Sequence, residues 1–583
     1  CETSKQKLVS SMKKKYNDLV GLAIILIGVL AVNLFVQAFF FRLDLTEEKR
    51  FSLSNPTKDL LGNLDQRILI KVYLEGNFPP GFEKLQRETK QTLDEFRAYT
   101  ENIDYQFIDP SDQVDDKARQ EVYQQLESKG LQPFNLEVSE NGGSRRLQVF
   151  PGAVLSLGER EISIQILQSQ MGRSAESQLN ASIEKLEYTL ASAIKKITQE
   201  KRPKIAFIEG HNELKPRFIA DLGRTLSEHY QVERFNLREF IKDSATGEIS
   251  IEKQIRRLNI FDALLIAKPQ SAFSDLDRYL IDQFIMNGGT TLWFIDAVQA
   301  EMDSLSNRSE FLAYPIDDRL NLRDMLFKYG VRINADLVQD IVAAGVNDSK
   351  QVLPWIYSPL IMPYVNHPIT KDLNGIRLEF ASSIDTIQTP RIKKTILLQS
   401  SQYSRKSNAP HLVSLARLYQ EPQRQAFQEK GIPLGVLLEG SFESAFNNRV
   451  VPRNLNGKSL PLTKKGKPAQ MLVVSDGDMV KNQLNIVNPQ LPKGLPLTTG
   501  YDQFTGMQYG NKDFLLNAFD YLLDESGLME LRGRELKIRL LDSQRIKNER
   551  SFWIGLNVAL PIGLILLFAI IQIQVRKKRF AKK

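Results

Sequence analysis

Between Leu19 and Phe41 the chain reads LVGLAIILIGVLAVNLFVQAFFF, with no charged position. A helix apolar on every face over roughly 23 residues is long enough to cross a ~30 Å hydrocarbon core, whereas a surface helix keeps a polar stripe. The run ends in Phe39, Phe40 and Phe41 rather than in the small residues of a cleavage site, so it predicts a membrane anchor and not a signal peptide. A second apolar run extends from Trp553 to Val575 and contains Pro561 and Gly563, both tolerated in membrane helices.

Between these runs the periods shorten. Arg67 to Leu74 (RILIKVYL) alternates and is β-branched, predicting a strand; Glu83 to Tyr99 sets Leu85, Leu93 and Phe96 among charges, predicting an amphipathic helix; Ile103 to Ile108 is a second strand. This β-α-β order predicts a parallel pair with a right-handed crossover. A helix from Asp115 to Lys129 follows, then short strands at Phe134–Val138, Arg146–Val149, Ala153–Leu157 and Glu161–Ile166, with a hairpin turn at Asn141-Gly142-Gly143. Residues 65 to 170 thus predict a small α/β domain, thioredoxin-like in layout but without a redox cysteine pair.

From Ala175 to Thr198, Leu179, Ile183, Leu186, Leu190, Ile194 and Ile197 recur at steps of three and four, predicting one long helix that Pro203 stops. Strands KIAFI (Lys204–Ile208), ALLIA (Ala263–Ala267) and TLWFI (Thr291–Ile295) then alternate with helices near Phe218–His229 and Asp275–Met286. Near-continuous apolar strands separated by helices predict a doubly wound parallel sheet covered on both faces. Beyond Leu320 the pattern loosens around Pro354, Pro359, Pro363 and Pro368, yet strands recur at Thr395–Gln399, Gly435–Glu439 and Met471–Ser475, the last placed to return to the same sheet. Asn447 to Lys467 reads as an exposed loop and Asn511 to Leu523 as an amphipathic helix.

The expected fold class is α/β: a two-span membrane protein whose extracytoplasmic part holds a small thioredoxin-like domain and a larger parallel-sheet domain. The expected boundaries are a basic tail at 1–18, a membrane helix at 19–41, the small domain at 42–172, a linking helix at 173–200, and the larger domain at 201–530 with a loop-rich insertion at about 340–465. A membrane-proximal segment at 531–551, a second membrane helix at 552–575 and a basic tail at 576–583 complete the chain.

Charge adds an orientation. Lys5, Lys7, Lys13, Lys14 and Lys15 precede the first run, and RKKRFAKK (Arg576–Lys583) follows the second. Positive flanks mark the cytoplasmic side, so both termini are expected inside and the body across the membrane. Of 583 residues, 42% are hydrophobic and 25% charged, and the net charge of +8 sits mostly in the two tails. A nucleic-acid surface is therefore not expected, and the tails suit anionic lipid headgroups of the bilayer or a cytoplasmic partner. Cys1 is the one cysteine, which excludes intrachain disulfides and four-cysteine zinc sites.

Candidate chemistry is sparse. His211 follows a strand end beside Glu209 and Glu213, and Asp476 and Asp478 follow another, where doubly wound sheets place ligands. Brought together, the five would suit a metal or a sugar; Glu209, His211, Asp476 and Asp478 would serve a glycan hydrolase, and a glycan-binding scaffold is a further alternative. The competing and favoured interpretation makes them turn residues with solvated carboxylates, since no second histidine has metal spacing. No metal site is therefore expected. Ser271 and Ser475 lack a histidine partner, and no GxxxxGK[ST] motif occurs. Trp293 and Phe294 read as core. No catalytic residue and no cofactor are expected.

Five phrases taken together, LDLTEEKRFSLSNPTKDLL, IEKLEYTLASAIKKIT, KIAFIEGHNE, VVSDGDMVKNQ and NKDFLLNAFDYLLDESGLMELRGRELKIRLLD, resemble the gliding-motility-associated ABC transporter subunit GldG of Bacteroidetes. The resemblance runs from about residue 42 to the second apolar run. It implies a membrane-anchored auxiliary, or "substrate-binding", component of the inner membrane, with its main domain periplasmic, acting with a permease (GldF) and an ATPase (GldA). It also implies a central domain of glutamine-amidotransferase-like layout, here without the amidotransferase cysteine, and supplies no catalytic residue. Two spans are too few to enclose a pathway, so transport requires a channel-forming partner or a homo-oligomer.

Overall fold

The computed structural model describes residues 20–31, 33, 52–76, 78–112, 115–140, 143–167, 174–199, 201–241, 250–305, 308–348, 350–363, 365–453, 459–524, 526–533 and 543–580. The chain forms two units, residues 53–534 and the two chain ends.

In the first unit, Ser54 caps α1 (Asn55–Gly62), its side chain accepting the Thr57 N–H. Strand β1 (Ile68–Val72) buries Ile68, Ile70 and Val72 and turns Leu69 outward. The chain then crosses through α2 (Pro80–Tyr99) to β2 (Ile103–Phe107), which lies parallel to β1. After α3 (Asp116–Ser128) come the hairpin strands β3 (Phe134–Glu140) and β4 (Gly143–Val149), then β5 (Gly152–Leu157) and β6 (Arg160–Gln165). Asn141 and Gly142 of the expected turn lie outside the described residues. The sheet order is β2-β1-β5-β6, with β5 and β6 antiparallel to their neighbours.

The long helix expected over 175–198 is two helices, α4 (Ala175–Glu184) and α5 (Leu186–Thr198). The Lys185 N–H bonds Ser182 O at 3.2 Å, a tightened turn that ends α4 and swings Lys185 inward to within 3.4 Å of Asp372 Oδ2. Leu179 on α4 and Leu186, Leu190, Ile194 and Ile197 on α5 pack with Phe82, Leu85, Leu93 and Phe96 of α2, so this pair closes the core beneath the small sheet.

A seven-stranded sheet follows, built from β7 (Lys204–Glu209), β8 (Gln231–Asn236), β9 (Ala263–Ala267), β10 (Thr290–Phe294), β11 (Ile392–Gln399), β12 (Pro433–Glu443) and β13 (Lys465–Val474). Its order is β11-β12-β13-β10-β9-β7-β8. Strands β13, β10, β9, β7 and β8 are mutually parallel, while β12 runs antiparallel to both β13 and β11. The sheet is therefore mixed: the loosely patterned region returns three strands to it, and β13 begins at Lys465, inside the tract expected as a loop. As antiparallel neighbours, β11 and β12 need no crossover helix, and the chain between them instead forms the short strands Ser404–Asn408 and His411–Ser414.

Both faces are covered. Leu264, Ile266, Trp293 and Val473 meet Tyr279, Leu280 and Phe284 of α8 (Asp275–Met286), which follows α6 (Ala220–Ser227) and α7 (Ile251–Leu258). Leu265, Leu292, Phe294 and Val474 meet Phe514, Leu515, Ala518 and Phe519 of α9 (Asn511–Leu522). Between β10 and β12 the chain also forms smaller antiparallel sheets around Trp355, Tyr357, Phe380 and Val413, which stand over one end of the large sheet.

In the second unit, the described residues include the apolar helix Val20–Ala31 and α10 (Ser543–Phe580). Leu19 and Phe41, the expected ends of the first span, lie outside the described residues. Within α10, Glu549–Lys578 is the one helix among the described residues that is long and apolar enough to cross a membrane. It contains both Trp553 and Val575, and its apolar side chains are exposed around the whole helix.

Candidate functional site

In a sheet that winds outward from an initial strand in both directions, ligands sit beyond the carboxyl ends of the strands at the point of reversal. Here the chain leaves β7 for β8 on one side and returns to β9 on the other. That crevice is filled by its own backbone: Gln270 and Ser271 both donate to His211 O, at 2.8 and 2.9 Å, and Leu214 donates to Ala267 O at 3.1 Å.

His211 is wholly buried in this plug. Its Nδ1 lies 3.1 Å from Glu213 Oε1 and its Nε2 3.1 Å from Asp277 Oδ2, while the ring stacks on Phe273 at 3.6 Å. Burial disfavours the imidazolium, but the hydrogen bonds and charges of Asp277 and Glu213 outweigh it and raise the His211 pKa. Burial likewise raises Asp277, yet His211 and the capping N–H and hydroxyl of Ser274 hold it down at about 2. Asp277 also receives Arg238 and completes the capping box of α8. The group is a structural knot with both ring nitrogens occupied. Glu209 points elsewhere and pairs with Arg234.

Asp476 and Asp478 belong to a different place. They follow β13, and the adjacent strands β10 and β9 contribute Asp296 and Lys268 at the same edge. Lys268 Nζ reaches Asp478 Oδ2 at 2.5 Å, Asp296 Oδ2 at 3.4 Å and Glu301 Oε1 at 3.4 Å. Asp476 accepts the N–H groups of Glu379 at 2.7 Å and Asp478 at 2.8 Å, and Asp296 accepts that of Gly477 at 2.5 Å. Burial, with the charges of Asp478 and Asp296, pushes Asp476 well above the usual carboxyl range. Burial also raises Asp296 to about 6, against the pull of Lys268. For Lys268 the burial cost is exceeded by Asp296, Asp478 and Glu301, and its pKa is raised.

Above this floor opens a cavity of about 640 Å³, within the range of small-molecule sites. Arg377 crosses its wall, paired with Glu379 and 3.4 Å from Asp502 Oδ2, and Asn511 clasps the Arg377 backbone through two hydrogen bonds of 3.0 and 2.8 Å. Phe218, Met302, Leu305, Leu484, Ile486 and Phe504 supply an apolar lining. Glu209, His211 and Glu213 are not among the lining residues, so the five expected site residues fall into separate places. Among the described residues, no group of three or more His, Cys, Asp or Glu is arranged to hold a metal ion.

Lys268 and Asp296 escape sequence reasoning although each follows an apolar strand, in ALLIAK and TLWFID. That strand-end position was the available signal. Arg377 and Asp502 end two-residue strands (Ile376–Arg377 and Tyr501–Asp502) and Glu379 lies just beyond the first, pieces too short to carry a local pattern.

The profile of a family described as an ABC-type uncharacterized transport system, auxiliary component, matches residues 202–518, more than half of the chain. The chain belongs to this ABC transport auxiliary family. The match takes in the whole seven-stranded sheet and the cavity. A second profile, a domain of unknown function (DUF7088), matches residues 47–156. An uncharacterized protein of Borreliella burgdorferi is 20% identical over 584 residues, covering 97% of this chain and 100% of that one. A solved structure, the mmIFT52 N-terminal domain, is 13% identical and covers 55% of this chain and 98% of its own, at a TM-score of 0.30. As a member of an ABC auxiliary family with an apolar helix of membrane-spanning length, the chain is an accessory subunit associated with a membrane and with transporter partners.

Proposed function

We propose that this protein is a non-catalytic, membrane-anchored accessory or substrate-binding subunit of an ABC transporter, of the GldG kind and linked to gliding motility. Its partners in this reading are a GldF-like permease and a GldA-like ATPase. The family match over residues 202–518 carries the proposal, and Glu549–Lys578 supplies an anchor. Two spans, near 19–41 and 552–575, hold both termini in the cytoplasm, and residues 42–530 lie in the periplasm as a small thioredoxin-like domain and an amidotransferase-like domain. The strand order β2-β1-β5-β6 supports the first layout and the parallel strands β8-β7-β9-β10-β13 the second. A non-catalytic role suits a site whose carboxylates are engaged by Lys268, Arg377 and backbone amides. Motion driven by ATP in the permease reaches the periplasmic body through the spans, or ligand binding is signalled back along the same route.

The test is purification of the tagged protein from native membranes in mild detergent, with identification of the accompanying chains and an ATPase assay. A multispan permease and a P-loop ATPase in one active particle are expected. A lone chain, under conditions that keep other membrane complexes whole, would overturn the reading.

A further inference from the structure

The cavity above β9, β10 and β13 is acid-rich in a particular way. Asp478 is nine-tenths buried, and while its Oδ2 meets Lys268, its Oδ1 is buried without a hydrogen-bond partner. Lys481 Nζ stands 3.5 Å from that oxygen without hydrogen-bonding it, and also lies over the Phe218 ring. An unsatisfied buried carboxylate oxygen is costly. It is closed to solvent here, and a donor in the cavity reaches it, and removes that cost, once the part-exposed Lys481 side chain beside it swings aside. Arg377 is committed to Glu379 and Asp502, and Lys268 to Asp478, Asp296 and Glu301. Even with Asp476 counted as neutral, the carboxylates of Glu301, Asp303, Glu379, Asp478 and Asp502 outnumber the cations Lys268, Arg377 and Lys481. An anion would therefore enter against net negative charge, whereas a cation would be drawn in.

The rest of the lining selects further. Phe218, Leu305, Leu484, Ile486 and Phe504 offer an apolar wall. The amides of Asn482, Gln483, Gln503 and Asn511 in the lining are already bonded to backbone carbonyls or Asp502 rather than offered to a sugar. We propose that this cavity binds an organic cation, a protonated amine on an apolar body, with the ammonium group donating to Asp478 Oδ1 and the body lying along Phe218, Leu484 and Phe504. The inference deepens the substrate-binding reading and rests on it for its biological setting, but ligand binding and co-purification are measured separately, so either can fail alone.

Calorimetric titration of the purified full chain with phenethylamine and tryptamine, against 3-phenylpropionate and indole-3-propionate, tests it. Each amine shares a ring and a short linker with its acid counterpart but carries the opposite charge. Saturable binding of an amine and none of the acids is expected, with affinity falling about tenfold or more in Asp478→Asn as a charge-assisted bond is lost. Glu301→Gln, whose side chain is 45% exposed, keeps the fold and weakens the amine severalfold, so the proposal remains testable if Asp478→Asn unfolds. Absence of amine binding, equal binding by both variants, or tighter binding of the acids would overturn it.

Discussion

Lys268 Nζ lies 2.5 Å from Asp478 Oδ2, a contact between residues 210 positions apart. It bridges the ends of β9 and β13 across the intervening β10, and it exists because the chain returns to insert β13 beside β10. The ammonium group also faces Asp296 and Glu301, so one cation offsets three carboxylates at the floor of the cavity.

Lys268→Met removes that cation and leaves buried carboxylates facing one another, a change that costs about 3–5 kcal/mol. Asp296, whose pKa is raised to about 6 from 3.8, takes up a proton more readily than an exposed carboxyl. Loss of Lys268, which pulls this pKa down, raises it further in the variant, so protonation relieves the repulsion and the deficit narrows as pH falls toward about 6 from above. Urea unfolding of both proteins at pH 5 and pH 8 measures this. An equal deficit at the two pH values would contradict the charge argument.

The His211 knot has a pH dependence of its own. A histidine whose pKa is raised above 6.5 on folding stabilises the fold fully below 6.5, and this stabilisation disappears as pH rises through the folded value. Asp277, held at about 2, contributes above 3.8 and loses its contribution as pH falls through about 2. The knot is therefore firmest between about pH 4 and 6.5. Subtracting the unfolding profile of His211→Gln from that of the native chain isolates its share, which should decline from pH 6.5 upward. A flat difference would show that His211 acts through packing on Phe273 alone.

What the sequence makes legible here follows from burial. ALLIA, TLWFI and MLVVS are strands sealed on both faces, where no alternation is needed, and each is a central strand. Asp476 and Asp478 are visible because they follow such a strand. Lys268 and Asp296 have the same placement, but a single polar residue after an apolar run is how most strands end, so they do not stand out. Their meaning comes only from β13 returning beside β10. The solvated turn favoured for His211 does not match its buried setting, because the Asp277 that engages it stands 66 residues further on. Arg377 and Asp502 meet from two-residue strands, too short for any local period to encode their pairing.

The small domain is clamped to the large one through α5 and α9. Lys196 Nζ lies 3.0 Å from Asp520 Oδ2, Tyr230 donates to Asp520 Oδ1 at 2.6 Å, and Lys195 Nζ is 2.6 Å from Asp524 Oδ1. Burial works against the Asp520 carboxylate, but Lys196 and Tyr230 outweigh it and keep its pKa low. Lys196→Met leaves that carboxylate with a neutral donor only and costs about 3 kcal/mol. Limited proteolysis between α5 and β7 should be faster in Lys196→Met than in the native chain, with the exposed Lys90→Met unchanged. Equal rates in all three would show that apolar packing alone holds the domains together.

Gly477 tests how closely the floor is built. It lies between the two aspartates, and a Cβ there would meet Lys268 Cγ at 2.6 Å, Cβ at 2.7 Å and Cα at 3.0 Å. A flexible side chain can swing away, but the two nearest backbone-linked carbons cannot, because Lys268 is held at φ 53° with its N–H bonded to Phe294 O at 2.8 Å. Gly477 is in turn held by its N–H to Asp296. In Gly477→Ala one of these loops must move, at a cost of about 1–3 kcal/mol for overpacking. Because the displaced group is Lys268, the variant should also part the Lys268–Asp478 pair and shift the stability profile around pH 6 toward that of Lys268→Met. Gly494→Ala, also in the large domain but with nothing within 4 Å of its Cβ, controls for the added methyl, though its own φ of 81° brings some backbone strain. If Gly477→Ala loses stability with an unchanged pH profile, the glycine serves packing alone and the ion pair does not depend on it.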